Sequence, residues 1–361
     1  MRQHERVTLL GSTGSIGVQT LDIVRNHPDR FSIYALVAHS RWEELARQAV
    51  EFNARRVVIG DERYYDNLKT RLAGSGIEVL VGSEAISEVA SSDECDLVVN
   101  ALVGYAGLHP TLAAIHSRKR IALANKETLV VGGDIVMSEA RRMGVDILPI
   151  DSEHSAIMQC LEGEKRQSIK NLIVTCSGGA LRDMAKEELS AVTPEMALRH
   201  PQWSMGAKIT IDSATLVNKS IVHSMVEFTD GSVKAQLGNA DMRTPISYAM
   251  LYPERSAIAM EEFSILDYPT LSFKAVDHDK YPALGIAYDC LHRGGTAPCT
   301  MNGSNEVAVA TFLAHKCAFT DIVGAIEYAL KRAEFTAVPS MEDYDRANLE
   351  ARALAKEYLK L

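Results

Sequence analysis

No apolar run in this chain approaches the roughly 20 residues that a membrane-spanning helix needs. The N-terminus enters a predicted strand within a few residues, so no signal or transit peptide is expected. Positive charge is not in excess either: 38 Lys and Arg stand against 47 Asp and Glu, a formal net charge of -9. That balance argues against nucleic acid or an anionic membrane as the main partner. It leaves room for a local basic pocket that takes a phosphate. The six cysteines (95, 160, 176, 290, 299, 317) are scattered, with no CxxC and no Cys/His zinc spacing. They read as free thiols in a reducing compartment. There is no internal repeat and no low-complexity tract. With these absences, a cytoplasmic enzyme is the expected class.

At 361 residues the chain is long for a single core, so two or three domains are expected. The stretch around which it is organised is Pro149-Ile-Asp-Ser-Glu-His-Ser155. It follows a short apolar run, residues 145–150, that reads as a strand, and a helix is predicted over residues 155–161. In extended backbone, residues two apart share a face. Asp151 and Glu153 then converge at a strand's C-terminal end with Ser152 beside them. Hard divalent cations take convergent oxygens of this kind. The competing reading is that Asp151 or Ser152 caps the next helix and Glu153 complements its dipole.

Upstream, residues 6–10 form an apolar strand that runs into Gly11-Ser-Thr-Gly14-Ser-Ile-Gly17 and then an amphipathic helix. Strand, glycine turn and helix together make a dinucleotide site credible. Gly11 permits the tight turn, Gly14 admits a pyrophosphate, and Gly17 allows close helix–strand packing. A glycine turn with no ligand is the alternative. After the next strand, residues 32–37, the usual acidic residue for ribose is missing. His39-Ser40-Arg41 stands there and suits a 2′-phosphate, which favours NADP over NAD. Further strand-like runs at 56–59, 77–81, 96–100, 120–124 and 146–150 alternate with helical stretches, so a parallel doubly wound sheet is expected. Ligands in such sheets lie beyond the strands' C-terminal ends. Asn100-Ala-Leu-Val-Gly104, Ala124-Asn-Lys-Glu127 and Asp151-Ser-Glu153 all fall there. Lys126 is either a cation facing the ligand or a surface lysine opening a helix.

In the middle of the chain, Cys176-Ser177-Gly178-Gly179 ends another strand and suits an anion-binding nest. Residues 199–206, Arg-His-Pro-Gln-Trp-Ser-Met-Gly, have the composition of a mobile lid. Ser213, Asn218 and Lys219 bring a hydroxyl, an amide and an ammonium close together, a plausible phosphate clamp. Residues 262–282 have little periodicity and read as a linker. The remainder is helical, with Ser304 as the expected cap of a helix over 305–315 and further helices over 321–332 and 346–359.

Together these stretches carry a specific resemblance. GSTGSIG (11–17), ANKE (124–127), PIDSEHSAI (149–157), SGG (177–179), RHPQWSMG (199–206), ITIDSAT (209–215) with Asn218-Lys219, SIVHSMVEF (220–228), DGSV (230–233), AQLG (235–238), DMRTPI (241–246) and NEVAVATFL (305–313) occur in order. The set resembles the 1-deoxy-D-xylulose 5-phosphate reductoisomerase family over nearly the whole chain. The resemblance implies NADPH and Mg²⁺ or Mn²⁺ as cofactors, a sugar-phosphate substrate and a homodimer. By the same resemblance Asp151 and Glu153 are metal ligands, and Lys126, Ser152, Glu153 and His200 are catalytic. Ser152, Ser177, His200, Trp203, Ser213, Asn218 and Lys219 are expected to bind substrate. Thr13, Gly14, Ser15, Ile16, His39, Ser40, Arg41, Ala101, Leu102, Val103, Asn125, Glu127, Met205 and Gly206 are expected to line the NADPH site.

The chain also departs from the family pattern. A Gly-Leu-Glu-like run with a third carboxylate ligand, followed by a helix and a strand, is expected after Asn218-Lys219. Here Lys219 is followed at once by Ser220-Ile-Val-His-Ser-Met225, and Val222 stands at the ligand's place. Ala180-Leu181 replaces a Pro-Phe pair. The expected architecture is α/β, with a doubly wound Rossmann-type NADPH-binding domain over 1–150. An α+β catalytic domain with a flap covers 151–261, a linker 262–282, and a C-terminal helical bundle 283–361. The alternatives are another NADP-dependent dehydrogenase on the same scaffold, or a catalytically impaired NADP-binding deletion form.

Overall fold

The computed structural model describes residues 4–176, 179–199, 207–214, 222–258 and 260–361. The first part of the chain alternates strand and helix. It runs β1 (Glu5–Leu10), α1 (Ser15–Asn26), β2 (Phe31–Ala38), α2 (Trp42–Glu51), β3 (Arg56–Ile59), α3 (Tyr65–Arg71), β4 (Glu78–Val81), α4 (Gly82–Ser91) and β5 (Leu97–Asn100). Then follow α5 (Leu108–His116), β6 (Arg120–Leu123), α6 (Lys126–Met143), β7 (Ile147–Pro149) and α7 (Ser152–Leu161). The later part contains β8 (Ile169–Val174), α8 (Pro194–Ala197), α9 (Ala207–Ala214), β9 (Val222–Phe228), β10 (Val233–Leu237) and α10 (Arg243–Leu251). It ends with α11 (Pro282–Arg293), α12 (Ala297–Leu313), α13 (Asp321–Arg332) and α14 (Met341–Tyr358).

The chain divides into two compact units. The first, residues 1–155 with 241–259, is built on a seven-stranded parallel sheet in the order β4-β3-β2-β1-β5-β6-β7. Val7, Leu9, Leu10, Val57, Val58, Ile59, Leu97, Val98 and Val99 are wholly buried, as continuous apolar strands covered on both faces must be. Helix α1 turns Gly17, Thr20, Leu21, Ile23 and Val24 inward, the spacing of one helical face. The strand order reverses between β1 and β5, which opens a crevice where both neighbouring connections leave in opposite directions. Helix α10, which the sequence reading assigns to the middle domain, belongs to this first unit. Arg120 fixes it there, donating to the carbonyls of Ala249 and Met250 at 3.2 and 2.7 Å.

The second unit, residues 156–240 with 260–361, has a three-stranded antiparallel sheet, β10-β9-β8, and a helical bundle. Lys234, Val226 and Leu172 stand abreast across that sheet. Phe312, Phe319, Ile322, Ala325 and Ala355 form the bundle's core together with Leu181 and Ile211. Two expectations are corrected here. The helix predicted from Asn305 begins at Ala297, with a proline in its first turn. Ser304 lies inside it, and its hydroxyl donates to the Thr300 carbonyl at 2.8 Å instead of capping an end. The helix predicted from Ser155 begins at Ser152, which changes how Asp151 and Glu153 are presented.

Candidate active site

At the tip of β1, Gly11 has φ +89°, a conformation that side chains resist, and a Cβ there would lie 2.5 Å from the Ala101 carbonyl oxygen. A Cβ on Gly17 would lie 2.3 Å from the Gly11 carbonyl oxygen, so α1 packs onto the turn only with glycine at that position. Gly14 differs. A Cβ there would meet only the Gly11 oxygen, at 3.4 Å, so packing within the protein does not demand glycine. Gly14 is also the N-cap of α1 and makes no side-chain cap. No capping side chain therefore satisfies the amides of the helix start, the kind of position that an anion can occupy.

Two buried asparagines shape the rim opposite. Asn100, at the end of β5, is fully buried and donates to the Gly107 carbonyl at 3.0 Å and the Thr111 hydroxyl at 2.8 Å. Its carbonyl oxygen accepts from the Leu102 amide at 3.1 Å. Asn125 donates to the carbonyls of Leu102 and Gly104 at 2.8 and 3.0 Å and caps α6 by accepting from the Thr128 amide at 2.9 Å. The 101–104 loop is therefore held from both sides, and Val103 is left 61% exposed at its tip. Asn125, expected in the cofactor site, uses its side chain to build the loop. The sequence places Asn100 at the start of a stretch beyond a strand end but not as the brace of that loop; its signal is a lone amide ending an apolar strand. His39 and Arg41 follow β2 as exposed residues, with Ser40 half-buried between them.

Past β6 and β7 lies the charged centre. Because α7 starts at Ser152, Asp151 precedes the helix and Glu153 sits in its first turn. The expected extended pairing of the two carboxylates is replaced by a helix start, where Asp151 accepts from the His154 amide at 3.4 Å. The capping contact is present, and both carboxylates are buried, Asp151 8% and Glu153 7% exposed. Lys126 Nζ donates to Asp151 Oδ2 at 2.7 Å, and His154 Nδ1 lies 2.8 Å from Asp151 Oδ1. Ser152 donates to Glu153 Oε2 at 2.9 Å. Burial works to lower the Lys126 pKa, but the charge and hydrogen bond of Asp151, helped by Glu153 and Glu127, outweigh it and hold the ammonium charged. His154 is raised chiefly by its hydrogen bond to Asp151.

Two buried carboxylates with a serine hydroxyl are a hard oxygen donor set that fits a Mg²⁺- or Mn²⁺-sized cation. Among the described residues no cluster of three His, Cys, Asp or Glu side chains is placed to hold a metal. A site with two protein carboxylates completed by water and substrate oxygens remains within the habits of Mg²⁺.

Three family models match the chain in succession. They are 1-deoxy-D-xylulose 5-phosphate reductoisomerase over residues 7–133, its C-terminal domain over 147–227, and the DXP reductoisomerase C-terminal domain over 237–354. The chain is 43% identical to the 1-deoxy-D-xylulose 5-phosphate reductoisomerase of Bacteroides thetaiotaomicron, covering 99% of this chain and 98% of the relative. The chain belongs to the 1-deoxy-D-xylulose 5-phosphate reductoisomerase family. It is 46% identical to the Chlorobaculum tepidum reductoisomerase, over 98% of this chain and 99% of that one. Among solved structures it resembles the Zymomonas mobilis reductoisomerase in complex with NADPH, with TM-score 0.90 and 39% identity, covering 99% and 100% of the two chains. It also resembles a reductoisomerase in complex with NADPH, fosmidomycin and magnesium, with TM-score 0.93 and 37% identity, over 99% and 98% of the two chains. The alignment to the Bacteroides reductoisomerase runs over 382 positions, more than the 361 residues here, so that relative carries residues with no counterpart in this chain.

The structure thus brings the half-buried Lys126 onto the buried Asp151, beside the buried Ser152 and Glu153. Thr13, Gly14, Ser15 and Ile16 sit at the sheet's switch point, with Ala101, Leu102, Val103, Asn125 and Glu127 on neighbouring strand ends. Ser177, His200, Trp203, Met205, Gly206, Asn218, Lys219 and the side chain of Ser213 lie outside the described residues. His154, bonded to Asp151, was missed because a histidine one residue past a helix's first acid looks like any surface histidine.

Proposed function

We propose that this chain converts 1-deoxy-D-xylulose 5-phosphate to 2-C-methyl-D-erythritol 4-phosphate, using NADPH and a divalent cation, Mg²⁺ or Mn²⁺. The observation that carries this reading is the Lys126–Asp151–Ser152–Glu153 group, set on the same end of the sheet as the glycine turn. The full-length likeness to reductoisomerases supports it.

Asp151 and Glu153 would hold the cation, which when bound supplies Lewis-acid polarisation of carbonyl and hydroxyl oxygens. Lys126 orients and neutralises Asp151 and offers a charged donor beside the reacting oxygens. Ser152 positions Glu153 and presents a hydroxyl to the substrate. The turn of Thr13, Gly14, Ser15 and Ile16 takes the pyrophosphate, and His39, Ser40 and Arg41 take the 2′-phosphate. Ala101, Leu102, Val103, Asn125 and Glu127 wall the nicotinamide half. Ser177, Ser213, Asn218 and Lys219 hold the substrate phosphate, whose binding energy keeps the reacting carbons in register. His200, Trp203, Met205 and Gly206 serve the flap that excludes water. We propose further that the enzyme is a cytoplasmic homodimer. Among the described residues no helix is long and apolar enough to cross a membrane.

A second reading draws on the alignment that outruns this chain. A block missing after Lys219, with its third carboxylate, makes the cation bind weakly and leaves an impaired enzyme that still binds NADPH. The deciding assay follows NADPH oxidation with 1-deoxy-D-xylulose 5-phosphate and Mn²⁺, with and without a chelator. Chelator-sensitive turnover supports the first reading. NADPH binding without turnover at saturating Mn²⁺ supports the second and overturns the first.

A further inference from the structure

Gln48 is a glutamine in the core of the first unit. It lies on the inward face of α2, with Leu45 and Ala49, and is 1% exposed. Its side-chain nitrogen donates to the Ser12 carbonyl oxygen and to Glu44 Oε1, each at 3.2 Å. Glu44 is held ionised by its hydrogen bond from Arg47, so both neighbours can only accept, and the amide has one orientation. Its own oxygen, Oε1, is buried and finds no hydrogen-bond partner among the described residues. An unpaired buried carbonyl is destabilising, so packing alone gives no reason for an amide at this place. An apolar side chain of the same length would fill the space without that penalty. What glutamine adds is its bond to Ser12.

Ser12 is the second residue of the glycine turn and is fully buried. Its amide and that of Gly11 both donate to the Val37 carbonyl of β2, at 2.8 and 2.9 Å. Its carbonyl is enclosed by two helices. A Cβ on Gly17 of α1 would lie 2.5 Å from the carbonyl carbon and from the oxygen, and Gln48 donates to that oxygen from α2. The Ser12–Thr13 peptide bond is trans, and in a trans peptide the C=O and the next N–H point opposite ways. Fixing the Ser12 oxygen toward the helices therefore turns the Thr13 N–H away from them. Through Glu44 the same side chain also reaches the first turn of α2, which follows His39-Ser40-Arg41.

We infer that Gln48 is a positioning residue for NADPH: by holding the Ser12 carbonyl inward it directs the Thr13 N–H toward the cofactor's pyrophosphate. The inference rests on the proposed function, in which the turn of Thr13 to Ile16 takes that pyrophosphate. The pyrophosphate is common to NADPH and NADH, so losing this bond weakens both cofactors by the same factor. A defect at residues 39–41 would weaken NADPH alone.

The test uses the full chain and compares wild type, Gln48→Met and Gln48→Asn. Fluorescence titration reads the affinities for NADPH and NADH, and a melting curve reads stability, so the outcome does not depend on turnover. Gln48→Met keeps the length and removes the donor. It is expected to melt at or above the wild-type temperature and to lose about tenfold in affinity for each cofactor. Gln48→Asn keeps the amide but falls one methylene short of Ser12, and the same paired loss is expected. Wild-type affinities in a Gln48→Met variant that melts like the wild type overturn the inference. A loss confined to NADPH also overturns it, because the effect then lies at the 2′-phosphate. If Gln48→Met melts well below the wild type, its packing is at fault and the asparagine variant decides: wild-type affinities in that variant overturn the inference. If the wild type itself binds neither cofactor, the proposed cofactor site fails and this inference falls with it.

Discussion

Lys126 opens α6 and Asp151 immediately precedes α7; they meet at 2.7 Å between Nζ and Oδ2, the carboxylate buried and the ammonium half-buried, each a charge partner of the other. The pair spans β6 and β7, so the position of the carboxylate is tied to the packing of two adjacent strands. Removing one partner leaves a buried charge uncompensated, which costs more than the pair itself contributes.

Asp151→Asn is therefore expected to cut turnover by about 100-fold or more, since both the cation's ligand and the partner of Lys126 are weakened. NADPH affinity, set at the β1 turn, should stay within about twofold. Steady-state rates across a Mn²⁺ titration check this. Rates that recover fully at high Mn²⁺ would mean that Asp151 contributes affinity for the cation alone.

Gly17→Ala and Gly14→Ala separate packing from ligand approach. A Cβ at Gly17 collides with the Gly11 carbonyl, so stability should drop by about 1–3 kcal/mol. Gly14→Ala meets only an ordinary contact, so it should leave the melting temperature nearly unchanged and weaken NADPH. A melting curve and an NADPH titration on each variant give the answer.

Asn100→Ala removes two donated bonds and one accepted bond in a fully buried setting. The expected cost is about 1–3 kcal/mol, with a weaker hold on NADPH because the 101–104 loop loses its inner brace. Urea unfolding and NADPH titration measure the two effects separately.

Arg41→Ala tests cofactor choice. If the exposed guanidinium meets the 2′-phosphate, the variant should lose about tenfold in NADPH affinity and almost nothing in NADH affinity. Equal losses for both would exclude that contact.

Thiol chemistry supplies the pH prediction. Burial pushes Cys290 and Cys317 up to about 11 and Cys299 up to about 12. Cys290 and Cys299 are also only 4% and 0% exposed, so both should resist iodoacetamide at pH 8 in the folded protein and react once it is denatured. The folded state keeps protons that the unfolded state releases. Stability should thus be unaffected by these groups below the usual thiol range and fall as pH rises from there toward 12. Mass-spectrometric labelling and melting curves from pH 8 to 10 check both halves.

Local pattern determined much of this protein. Continuous apolar strands alternating with amphipathic helices fix a parallel doubly wound sheet, because strands buried on both faces have few other packings. Gly11 and Gly17 were legible because a tight turn and a close helix leave room for nothing larger. Asp151, Ser152, Glu153 and Lys126 were legible as candidates by residue type at strand ends. The tertiary structure decided the rest. It moved the start of α7 back to Ser152, so that the carboxylates are presented from a helix start instead of an extended segment. It placed Ser304 inside α12, where a back-bonded hydroxyl is tolerated by a well-packed core. It also gave Asn100, His154 and Gln48 their partners. Those roles depend on groups between 2 and 36 residues away, and the distant ones meet only through burial across elements, which no local pattern encodes.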